Sequence, residues 1–250
     1  MPKGDVVLAS FVIIAVLLAP IGLAYACDQM RTYTQDKLVL EIADIITRVE
    51  VTVYNGSEWF YPTQDYVITD DNYVLVPSIS SGVDIQQLKT ILLYVNKTLL
   101  NGAWLWQQKI TKMVVSFEGS VAINEPLTVQ IIFKDTSNAP HSFDVVSITP
   151  NASSFTVVWE PTTIQLAQIA SYDEASISVA QIALKGSSDL GYREGDYFAV
   201  RVAFYIAQKS FSQSQIEVIL AAAGIAMLIG AVFATNAVDV RTIARAVRRR

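Results

Sequence analysis

Two long apolar runs bracket the chain, and between them the spacing of apolar positions changes more than once. Residues 6–26, VVLASFVIIAVLLAPIGLAYA, form 21 residues without a charge. At about 1.5 Å per residue, that is enough to cross a hydrocarbon layer of roughly 30 Å as a helix. Pro20 is compatible with a kinked membrane helix. Residues 216–238 form the second run, with Glu217 near one border and Asp239 at the other. The pattern predicts a transmembrane helix over 6–26 and another over 216–238. In the second, Ala222, Ala226, Gly230 and Ala234 recur every four residues as a ridge of small side chains, a surface on which helices pack closely.

After the first run, Leu38, Ile42, Ile45, Ile46 and Val49 keep a helical spacing, which predicts an amphipathic stalk helix. The period then shortens. Val49, Val51 and Val53 alternate and meet Asn55-Gly56, a strong hairpin signal of the type I′ kind. A second hairpin is predicted to turn at Asp70-Asp71-Asn72. Asp84, with Gln87 three residues on, reads as a helix cap. Ile85, Leu88, Leu92, Val95 and Leu99 supply the apolar face of that helix, and Asn101-Gly102 its end. Residues 27–112 therefore read as a stalk helix and a small α+β unit. From Thr111 the texture becomes all-β, in runs TKMVVSFEG, LTVQIIFKD, SFDVVSIT, SFTVVWE, EASISVAQIAL and DYFAVRVAFYIA. In the last run Phe198, Val200, Val202, Phe204 and Ile206 share one face.

Charge settles orientation and excludes one class of partner. Residues 239–250 carry Arg241, Arg245, Arg248, Arg249 and Arg250 against Asp239, so this basic tail is predicted to stay inside. With both helices spanning, both termini are interior and residues 28–215 lie outside. The arginines are also placed to contact anionic lipid. The chain as a whole carries −5, so the acidic character sits in the body, which argues against nucleic acid. Two other readings of the N-terminus compete. Lys3 and the Ala24-Tyr25-Ala26 pattern fit a cleaved signal peptide, and Cys27 would be the acylated residue of a lipoprotein.

Candidate chemistry is sparse. His141 is the one histidine and Cys27 the one cysteine, so neither a His/Cys metal set nor a disulfide framework can be built. Asp70-Asp71 and Asp189, Glu194 and Asp196 are carboxylate groups without a calcium-loop pattern, and read as solvated turns. No catalytic residue, cofactor or metal is expected. Trp59, Phe60 and Tyr61 with Trp104 and Trp106 form an aromatic group suited to a core, an interface or a membrane boundary. Three glycosylation triplets begin at Asn55, Asn96 and Asn151, all in the segment predicted to lie outside.

The stretch 113–207 resembles the cell-surface immunoglobulin-like modules of the CARDB and NEW3 type. The matching positions are Asn138-Ala139 at a turn, Pro161, Ile164 and Leu166 leading to a corner, and Gly195, Tyr197 and Ala199 opening the last strand. Ala167-Gln168 departs from the Pro-Gly usual there. The resemblance implies an immunoglobulin-like sandwich used in spacing and adhesion. The expected fold is thus mainly β: an extracytoplasmic immunoglobulin-like β-sandwich plus a small α+β unit, flanked by two transmembrane helices. The expected function is a non-enzymatic envelope protein of a plasma or virion membrane, structural or partner-binding. Its expected partners are the membrane and other membrane or envelope proteins, a second copy of the chain among them. The alternatives are a pilin-like filament subunit processed after Gly4 and an accessory subunit of a membrane enzyme.

Overall fold

The computed structural model describes residues 33–210 and 215–221. Residues 36–207 form one compact unit. Residues 215–221 are helical and belong to a second unit with the chain's ends. In chain order the elements are β1 (Tyr33–Glu41), a 3-10 turn (Ile42–Asp44), β2 (Ile46–Tyr54), β3 (Trp59–Phe60), β4 (Thr63–Gln64), β5 (Val67–Ile68), β6 (Val74–Val76) and β7 (Gln87–Val95). There follow α1 (Gly102–Gln108), β8 (Ile110–Ile123), β9 (Leu127–Asp135), β10 (Pro140–Ile148), β11 (Ala152–Trp159), α2 (Thr163–Ile169), β12 (Ile177–Gly186) and β13 (Phe198–Ser210).

The strands build two sheets. One runs β11-β8-β13-β6-β5, with β1 also paired to β13; the other runs β10-β9-β12-β7-β2-β3, with β4 on β2. Alternation explains the layers: in β9, Leu127, Val129, Ile131 and Phe133 point inward and are fully buried. Phe117, Phe198, Val200 and Phe204 do the same from the opposite sheet. The middle of β12, Ala180 to Leu184, is buried on both faces, with Gln181 and Ala183 on the outer side.

The six β runs after Thr111 are all strands, and the hairpin at 70–72 forms with Asn72 at φ 61°. Four expectations are corrected. The stalk is not a helix: residues 33–41 are β1, and Val49, Val51 and Val53 belong to β2. Its apolar spacing fits both periods, and hydrogen bonding to β13 and β7 decides between them.

The helix expected over 84–99 is β7, wedged between β2 and β12 with Leu88, Ile91, Leu93 and Val95 buried. Asn101-Gly102 begins a helix instead of ending one, because the Asn101 side chain accepts from Trp104 N–H at 2.8 Å. Residues 113–207 are likewise not a free-standing immunoglobulin-like sandwich beside an α+β unit. β12 is hydrogen-bonded to β7 as well as to β9, and one core takes residues from both segments. The corner after Pro161 is α2, started by a reciprocal cap between Thr162 and Gln165. The Asn55-Gly56 hairpin exists as a four-residue loop, in which Asn55 Oδ1 accepts from Ser57 and Glu58 N–H and Gly56 alone takes positive φ.

One core contact is tight enough to test. Tyr192 is fully buried among Phe117 and Phe198, and its hydroxyl has no hydrogen-bond partner. It fits because residue 119 is glycine: a Cβ there would fall 1.6 Å from the hydroxyl oxygen. Gly119→Ala is expected to destabilise by about 1–3 kcal/mol through overpacking. Tyr192→Phe should be neutral or stabilising, because it removes an unsatisfied polar group. Urea unfolding of both variants checks the pair, and a large loss in Tyr192→Phe would contradict it.

Candidate functional site

The chain enters and leaves the sandwich at the same pole. Lys112 Nζ bonds Asp36 in β1 at 3.0 Å and lies 5.5 Å from the Tyr205 ring in β13. Further along, Arg201 grips Glu41 through two bonds, Nη2–Oε1 at 2.5 Å and Nε–Oε2 at 3.3 Å. These contacts set β1 antiparallel to β13. Glu41 is 3% exposed, so the paired guanidinium is what allows a carboxylate to stay there. That carboxylate in turn holds the Arg201 proton more tightly than usual.

α1 and α2 pack on each other near the same pole, since α1 leads into β8 and β8 begins opposite the end of β13. Between them opens a cleft of about 480 Å³ lined by Trp106, Ile110, Pro161 and Leu166 with Gln107, Lys109, Thr111 and Thr163. Trp106 and, beside the cleft lining, Ile164 stand exposed at 41% and 72%. Trp104 turns inward and meets Phe204 edge-on.

A second concavity of about 300 Å³ lies where the sheets part. β10 and β11 are the outermost strands of their sheets, and α2 spans the gap between them. Its lining is Ser142, Phe143 and Asp144 from β10, Trp159 from β11, and Gln165, Gln168 and Ile169 from α2. Trp159 is 8% exposed, and its indole Nε1 is buried without a partner. Asp144 accepts from Gln130 Nε2 at 2.6 Å. Beside the pocket, the turn after β9 is braced by Asp135, which accepts from Ser137 and from Ala139 N–H. His141 Nε2 lies 3.3 Å from the same carboxylate, and its ring rests 4.7 Å from that of Tyr172.

The outer face of the second sheet carries a polar strip. Tyr94 donates to Glu50 at 2.5 Å, and Arg48 both pairs with Glu50 and lies over the Tyr94 ring. Burial and the Glu50 carboxylate push the Tyr94 hydroxyl's pKa up. In register beside Tyr94 sits Gln181, 1% exposed and with an unpartnered Nε2. At the far end of this face, Trp59 packs against Tyr54 and lies under Lys89.

No protein-family model matches the chain, and no curated protein matches it. Among solved structures, the family 22 carbohydrate-binding module of Clostridium thermocellum Xyn10B is similar at 9% identity and a TM-score of 0.33, over 65% of this chain and 85% of that one. The family 11 module of Lic26A-Cel5E from the same organism matches at 12% identity and 0.34, over 73% and 99%. A family 29 module from Piromyces equi matches at 10% and 0.30, over 69% and 84%. The assignment of a β-sandwich rests on the chain's own strand pairing.

The expected site residues are dispersed. Asn55 and Asn151 lie in loops at the pole away from the chain ends, and Asn96 at the pole where the chain enters. Asn151 is exposed at φ 46°, and Asn96 is exposed with its Oδ1 accepting from Thr98 N–H. The aromatic group is split: Trp59, Phe60 and Tyr61 sit at the far pole, Trp104 and Trp106 on α1. His141, expected in a loop, is the second residue of β10.

The acidic residues are turn braces. Asp189 accepts from Leu88 and Gly191 N–H and pairs with Arg193; Asp196 accepts from Arg193 N–H; Glu194 accepts from Ser81. Among the described residues no group of three or more potential metal ligands converges. The run 6–26, Cys27, the ridge Ala222, Ala226, Gly230 and Ala234, and Arg241, Arg245, Arg248, Arg249 and Arg250 lie outside the described residues. Of 216–238, residues 216–221 are described and helical. Among the described residues no helix is long and apolar enough to cross a membrane.

The seam pocket was hidden in the sequence because its lining comes from three separate segments. Thr162-x-x-Gln165, a capping signal, was its one visible trace.

Hydrogen bonds from Ser137, Ala139 and His141 hold the Asp135 carboxyl down to about 2 from 3.8. Its folded-state pKa is depressed, so the stabilisation is complete above pH 3.8 and is lost as pH falls towards about 2. A carboxyl NMR titration should find Asp135 the last of the turn aspartates to protonate. Asp135→Asn should flatten the acid limb of stability between those two values, and an unchanged limb would contradict the assignment.

Proposed function

We propose that this chain is a non-enzymatic membrane-anchored envelope protein, whose β-sandwich is held on the outer side by two anchors, 6–26 and 216–238, and serves architecture or partner binding. The observation that carries the reading is the pairing of β1 with β13. A domain tied to one bilayer face at both ends needs its first and last strands to leave by one pole, and Lys112, with Asp36 on one side and Tyr205 on the other, marks that pole. Eight residues separate Ala207 from Ile216, at most about 30 Å of extended chain. A sandwich so tethered stays near the surface and suits a lattice component, a virion protein or an accessory subunit beside a larger assembly. Exposed Trp106 at this pole adds support, because tryptophan favours the membrane–water boundary.

Translation of the full chain in the presence of microsomes tests the reading. The product should resist alkaline carbonate extraction, keep its arginine tail accessible to protease from the cytosolic side, and gain glycan mass that falls by one step in Asn151→Gln. A carbonate-soluble product, or a tail shielded by the vesicle, would overturn the two-anchor topology.

A further inference from the structure

The pocket at the seam between β10, β11 and α2 has the chemistry of a small-ligand site. Its volume of about 300 Å³ is at the lower end of ligand pockets. Trp159 closes its inner side, more than nine-tenths buried, and leaves an indole N–H without an acceptor. Burying such a donor costs about 1–3 kcal/mol, which an incoming acceptor removes. The other polar groups are a hydroxyl, a carboxylate and two amides, Ser142, Asp144, Gln165 and Gln168. Each can bond hydroxyl groups: Gln168 offers both donors and an acceptor, while Gln165, whose Oε1 accepts from Thr162, offers its two N–H donors.

Charge narrows the class. Asp144 is the one charged residue in the lining, and no lysine or arginine is there to hold a phosphate or carboxylate. Asp144 is itself engaged by Gln130, which lowers its call for a cationic partner. Phe143, Trp159 and Ile169 give the pocket apolar walls beside these hydrogen-bonding groups. A ligand that is neutral, rich in hydroxyls and apolar along its C–H faces satisfies all of these at once.

We infer that the seam pocket binds a neutral polyhydroxyl ligand of single-sugar size, with the Trp159 indole N–H donating to a ligand oxygen and Gln165, Gln168 and Asp144 bonding its hydroxyls. The site is independent of the anchor reading, because its residues all belong to the 36–207 unit. α2 is the element that completes it. The Thr162–Gln165 cap sets the helix start, which places Gln165 and Gln168 on the pocket side while Leu166 and Ile169 go into the core.

The test is saturation-transfer NMR and tryptophan fluorescence on the full chain in a detergent without a sugar headgroup. The probes are D-glucose, D-galactose and N-acetyl-D-glucosamine, with inorganic phosphate and ethanolamine as the anionic and cationic comparisons. Saturable binding of at least one sugar is expected, weakened about fivefold or more by Trp159→Phe and by Gln168→Ala. Gln168 is exposed and takes no part in the Thr162–Gln165 cap, so its variant leaves both core and helix intact and keeps the test valid should Trp159→Phe fold poorly. No saturable sugar binding, or sugar binding indifferent to both substitutions, overturns the inference. Binding of phosphate or ethanolamine in place of the sugars, with the same dependence on these residues, overturns the assigned ligand class.

Discussion

Glu41 and Arg201 hold the first strand of the sandwich against the last. A carboxylate at 3% exposure would be strongly unfavourable without a partner, and the bidentate guanidinium supplies one in the geometry that carboxylates bind best. The pair does more than stabilise an edge. It fixes β1 beside β13, brings the points of entry and exit together, and delivers the 3-10 turn to the place where Ile42 and Ile45 enter the core. β2 then starts in the other sheet, so this short segment stitches the two layers together.

The second sheet shows the same economy. β12 accepts β9 on one side and β7 on the other, and so joins the N-terminal third of the chain to its C-terminal half. Neither set of strands closes a core alone, because the buried residues of β2 and β7 face those of β8 and β13 across the sandwich. The two sheets diverge at β10 and β11, where no further strand joins them. α2 and the aromatic side chains Phe143 and Trp159 fill that gap only in part, which is how a groove comes to exist in an otherwise close-packed domain.

Much of this architecture can be read from the residues, and the failures share a cause. β8 to β13 announce themselves by alternation and by turn residues such as Asn138, which takes positive φ as expected of a turn asparagine. The strands before them are ambiguous. Leu38, Ile42, Ile45 and Val49 satisfy a helical period, yet Leu38 is exposed while Glu41 is buried, and only Arg201, far along the chain, makes that arrangement possible. β7 is hard to read because its outward positions Leu92 and Tyr94 are themselves large and largely apolar, which hides the alternation that its burial follows. Leu92 and Leu93 both look like core to a reader of the sequence, though Leu93 alone is fully buried. The seam pocket had no single-segment signature at all; it exists because β10, β11 and α2 converge.

Glu41 and Arg201 are 160 positions apart. At about 5–20 residues per second, a ribosome needs roughly ten to thirty seconds to make that interval. Throughout it β1 lacks the strand it pairs with, and the layer opposite β2 and β7 lacks its central strand, so their apolar residues are covered only in part. Contacts of such long sequence separation also form slowly once the chain is complete. β13 is followed within a few residues by the second apolar run, so the last strand of the fold and that run emerge almost together. The sandwich is thus a domain that can close only at the end of its own synthesis, and any factor that shields an unpaired strand edge during that wait acts on β1.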